Sequence, residues 1–80
     1  MVMPRPRGAT WYSWSREDVV EEAVDASLRL LGAVVTRCSR PLHARAAARI
    51  AALLEQLLGP EASRLFLERA GREFAAVCTT

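Results

Sequence analysis

Eighty residues are about half of the ~150 that serve as a rough per-domain prior, so the chain holds one domain at most. Hydrophobic residues at 51% and charged residues at 25% give a folding composition, and a net charge of +2 is too mild to announce a nucleic-acid or membrane binder. No apolar run approaches the ~18–20 residues of a membrane span, which argues against a membrane protein as the length argues against a multidomain enzyme.

Residues 1–10 carry Pro4, Pro6 and Gly8 with Arg5 and Arg7. Alternating prolines forbid a regular helix, so a flexible arm is expected there, ahead of a single helical domain over 11–80. Trp11, Tyr12 and Trp14 follow. This aromatic segment has three readings: a lid folded over the core, an interface anchor, or a base-stacking surface.

Helix 1 is expected over about 16–38. Ser15 and Asp18 have the S-x-x-D spacing of an N-terminal cap, and Trp14 and Val19 have that of a hydrophobic staple. Acids at Glu17, Asp18, Glu21 and Glu22 suit the helix start, and Arg37 and Arg40 suit its end. Helix 2 is expected over about 41–58, with Ser39 or Arg40 as cap and Pro41 in the first turn. Gly59 ends it, and Pro60 opens helix 3 over about 60–77. No segment alternates with the period of two that a half-buried strand shows. The chain is thus all-α, a three-helix bundle.

The helical wheels assign faces. On helix 3, Phe66, Leu67, Ala70, Phe74, Val77 and Cys78 share an apolar arc, and Leu65 projects into the charged one. There Arg64–Glu68, Glu68–Arg72 and Arg69–Glu73 have pairing distance along the helix. On helix 2 the broad arc is Leu42, Ala46, Ile50, Leu53, Leu54, Leu57 and Leu58, beside a strip of small residues at Ala44, Ala48, Ala51 and Ala52. Helix 1 is apolar over roughly 200° of its circumference, more than two companion helices readily cover. A dimer packed through helix 1 is therefore expected, using Val20, Val24, Leu28, Leu30, Leu31, Val34 and Val35.

Small domains usually need a staple. Cys38, Cys78 and a single His43 are too few for a structural zinc site, so no metal or other cofactor is expected. The first eight residues lack the apolar core of a secretory signal. Two reduced, mostly buried thiols in a reducing cytoplasm are expected, with oligomerisation as the staple. His43 reads as a helix-start histidine without catalytic partners, and no glycine-rich phosphate loop occurs. The chain is not expected to be an enzyme.

Between residues 16 and 25 the local charge is −4, and between 26 and 50 it is +5 with no acid at all. Arg37, Arg40, Arg45 and Arg49 surround the corner between helices 1 and 2. They are candidates for an acidic protein surface or for phosphates. A helix-turn-helix frame over helices 2 and 3 fits poorly, because Glu55 stands where a small residue is wanted. The expected function is a self-associating, non-catalytic protein-binding module, an adaptor or accessory protein. By class analogy this is a role filled by small phage and viral proteins. Its partner surface would comprise Arg5, Arg7, Trp11, Tyr12, Trp14, the four corner arginines and Leu65. The alternative is a small nucleic-acid-binding regulator using the arginine corner.

Overall fold

The computed structural model describes residues 15–78. Three helices of 19 residues follow one another: α1 (Arg16–Val34), α2 (Arg40–Leu58) and α3 (Pro60–Cys78). They form the expected three-helix bundle, and among the described residues there is no strand. The arm at 1–10 and the aromatic residues Trp11, Tyr12 and Trp14 lie outside the described residues.

Local chemistry sets most of the helix ends. Ser15 Oγ accepts from the Asp18 N–H at 3.1 Å, and Asp18 Oδ2 accepts from the Ser15 N–H at 3.2 Å, a reciprocal capping box. Ser39 caps α2 through a longer contact, 3.5 Å from the Leu42 N–H. Gly59 ends α2 at φ 101°, where a side chain would be strained. The Arg16 guanidinium donates to the Leu58 carbonyl and lies 3.3 Å from Glu61 Oε1. The start of α1 is thereby tied to the tight α2–α3 turn.

The end of α1 departs from expectation by about a turn. It stops at Val34 instead of near Cys38, and Val35 is extended at φ −107°. Val34, Val35 and Thr36 are three consecutive β-branched residues, which lose side-chain freedom in a helix. Ending here frees Cys38 to turn toward α3. The two thiols expected to be reduced are joined: Cys38 and Cys78 form a disulfide, with Cα atoms 5.6 Å apart. Neither is the buried core thiol that the wheels describe, since Cys38 is exposed and Cys78 half-buried. The early stop also moves Arg40 from the expected end of α1 into the first turn of α2.

α2 and α3 pack most extensively, and they do so through small side chains. The core comprises Val24, Leu31, Ala47, Ala51, Leu54, Ala62, Phe66 and Ala70. Half of these are alanines, so the backbones of α2 and α3 approach closely around Phe66. The inward face of α2 is therefore centred on Ala47, Ala51 and Leu54, leaving part of the expected leucine arc outside: Leu53 is 58% exposed and Leu57 77%.

α1 lies across the other flank of α3. Arg69 holds Glu21 at 3.2 Å and Asp25 at 3.9 Å. It pairs between helices here, instead of with Glu73 along its own helix. This placement reverses two positions. Leu65, one turn before Arg69, is half-buried against the core instead of exposed among charges. Leu67, expected inside, is exposed.

Candidate functional site

Three surfaces carry whatever chemistry the described residues offer. The first lies at the disulfide end. A cavity of about 180 Å³ opens between the end of α1, the start of α2 and the end of α3. Leu28, Leu31, Val35 and Val77 supply apolar wall, while Arg37, His43, Glu73 and the disulfide add polar and polarisable groups. The His43 ring packs on Phe74 with centroids 4.4 Å apart and planes tilted by 39°. The Arg40 guanidinium stands 5.5 Å from the Phe74 ring centre, within cation–π range. His43 and Glu73 thus share a cavity, but among the described residues no hydrogen bond joins them. The histidine is held as a packing ring. Nor, among the described residues, do three His, Cys, Asp or Glu side chains converge as metal ligands.

The second surface is the arginine corner. Arg37, Arg40, Arg45 and Arg49 are all exposed. Among the described residues none of them makes an ion pair, in contrast to Arg16 and Arg69. The start of α2 carries no acid in its first turn. Arg40 stands in the first turn of α2, where positive charge is unfavourable in the helix dipole, so it is not placed there for helix stability. Leu65 is not part of this surface, being covered by the packing of α1 on α3.

The third surface is an apolar seam. Among the described residues eight large hydrophobic ones are exposed: Val19, Leu30, Val34, Leu42, Leu53, Leu57, Leu67 and Val77. Their positions follow from the 100° step of a helix and the neighbours of each flank. On α1, Glu21 and Asp25 face Arg69 of α3, so the flank of Ala23, Leu30 and Val34 faces the α2 side. On α2, Ala44, Ala48 and Glu55 border Ser63 and Gly71 of α3 across a shallow groove, so the opposite flank of Leu42, Ala46, Leu53 and Leu57 faces α1. The first six exposed residues therefore line one continuous face formed by α1 and α2.

This outcome redistributes the residues expected at a dimer interface. Val24 and Leu31 are buried in the chain's own core, and Val20, Leu28 and Val35 pack against it. Leu30 and Val34 remain exposed, at 52% and 62%. The apolar excess is real but is shared between two helices. Helical spacing at 46, 50, 53 and 57 carried the signal for the α2 half. No protein family, curated protein or solved structure was found to match this chain.

Proposed function

We propose that the chain is a small non-catalytic protein-binding module, an adaptor or accessory protein, that self-associates. The apolar seam carries this reading. Among the described residues the largest fully buried side chains are Phe66 and Val24. An apolar face of this extent lies at the upper end of what monomers expose, and a core in which half the side chains are alanine leaves burial energy to an assembly. The arginine corner is then the docking surface for an acidic partner protein, with residues 5–14 contributing arginine and aromatic anchors. Among the described residues no helix is long and apolar enough to cross a membrane. The disulfide in so small a domain fits an oxidising compartment better than the reducing cytoplasm expected from the sequence.

The four exposed arginines, which make no ion pair among the described residues, also favour a second reading, a nucleic-acid-binding regulator. Affinity capture with the oxidised full chain separates the two. A protein partner is expected to stay bound at about 0.3 M salt and after nuclease treatment, and to be lost in an Arg45→Ala, Arg49→Ala variant. Binding that vanishes with nuclease and falls steeply with salt refutes the protein-binding reading in favour of the nucleic-acid one.

A further inference from the structure

We infer that the α1–α2 seam is covered by a second copy of this chain, across a twofold axis that sets α1 antiparallel to α1 of the other copy. The inference rests on the self-association reading and names its surface.

Area is the first argument. Val19, Leu30, Val34, Leu42, Leu53 and Leu57 are between 39% and 77% exposed. Together these residues present roughly 600 Å² of surface, against the ~800 Å² that each partner gives to a standard stable interface. Ala23, Ala26 and Ala46, interspersed on the same flanks, supply more and let facing backbones approach. Large and small side chains thus alternate on one face, so that face can interdigitate with a rotated copy of itself.

Charge is the second argument. The middle of the seam is apolar; at one end Arg16 reaches from α1 to the Leu58 carbonyl of α2, and exposed Arg49 borders Leu53 on the α2 edge. On the α1 edge stand Glu22 and Arg29, both exposed, and among the described residues neither makes an ion pair. They are placed almost symmetrically about the middle of Arg16–Val34. In an antiparallel pairing centred there, Glu22 of one copy meets Arg29 of the other, twice. The same rotation brings Leu42 of α2 near Leu57 of the second copy. An unrelated partner would need none of this symmetry.

The test is the mass of the oxidised full chain by light scattering and sedimentation, from about 1 to about 200 µM. The expected result is twice the 8.8 kDa protomer mass. Leu53→Glu with Leu57→Glu should halve that mass, raising the dissociation constant at least about a hundredfold, with unchanged helical circular dichroism. Leu67→Glu, off the seam on α3, should leave the dimer intact. Glu22→Arg should weaken the dimer several-fold, and adding Arg29→Glu should restore it. A wild-type chain that is monomeric throughout overturns the inference and the self-association reading together. In that case a red shift of tryptophan fluorescence in Leu57→Glu would assign the seam to the chain's own residues 1–14, which hold both tryptophans. A dimer that survives Leu53→Glu with Leu57→Glu overturns this surface and leaves self-association standing. Failure of the charge swap to restore association overturns the antiparallel arrangement.

Discussion

Opening the Cys38–Cys78 bond removes the covalent link between the α1–α2 loop and the last turn of α3. The bonded residues are 40 positions apart. In the chain-entropy account, closing a loop of that length withholds about 13 cal/mol/K from the unfolded chain, or about 4 kcal/mol at room temperature. An 80-residue domain at typical specific stability has roughly 4–12 kcal/mol in total. The bond therefore supplies a third or more of what keeps this chain folded. It matters the more because the core is small and rich in alanine. The perturbation is Cys38→Ser with Cys78→Ser, compared with the wild type with and without reductant. The assay is urea unfolding followed by helical circular dichroism at one fixed protein concentration, because self-association adds its own stabilisation. With a slope near 1 kcal/mol/M, as expected for the smallest domains, the midpoint should fall by about 3–4 M. The reduced wild type and the double serine variant should agree. What unfolds first is also specified: the last turn of α3 and the 35–39 loop should lose amide protection before the α2–α3 contact around Phe66. A loss below about 1 kcal/mol would refute the reasoning, because it would mean that the bond joins segments already held together in the unfolded ensemble.

Three further substitutions probe the rest of the frame. Phe66→Ala empties the middle of the core at a fully buried position, and should cost about 3–5 kcal/mol in the same urea assay. A cost under about 1 kcal/mol would show that α2 and α3 can collapse onto the gap. Gly59→Ala forces a side chain into φ 101° and puts its Cβ 3.3 Å from the Arg16 guanidinium. It should lower stability by about 1–3 kcal/mol, and an unchanged melting temperature would place the strain elsewhere. Ser15→Ala breaks the capping box of α1 and should cost about 1 kcal/mol, whereas Ser15→Asp should retain most of it.

The punctuation of this chain is legible because it is local. Ser15 with Asp18, Ser39, Gly59 and Pro60 each act through backbone groups within three or four residues, and each stands where its chemistry requires. The packing is legible only in part, because a helical wheel shows that an arc is apolar without showing which neighbour lies against it. α2 offers two such arcs, one of leucine and one of alanine. Hydrophobicity alone points the leucines inward. The bundle instead turns the alanines toward α3, since two backbones can come closest where side chains are smallest, and Phe66 then fills the space between them. The same ambiguity exchanged Leu65 and Leu67. Their wheel positions differ by two residues, and only the side on which α1 lies, marked by Arg69 reaching Glu21 and Asp25, decides which is covered.

The disulfide depends on contact over a long separation, and nothing near Cys38 or near Cys78 announces it. The Val34, Val35 and Thr36 run did announce a helix end. On the wheel those residues count as apolar continuation, whereas their branched Cβ atoms make them poor helix formers. Reading them by shape ends α1 early, and an early end lets Cys38 leave the axis of α1 and meet Cys78. That one local choice also moves Arg40 into α2, sets Arg40 and His43 against Phe74, and leaves Arg37 on the wall of the same cavity. The site at this end of the bundle therefore follows from where one helix stops.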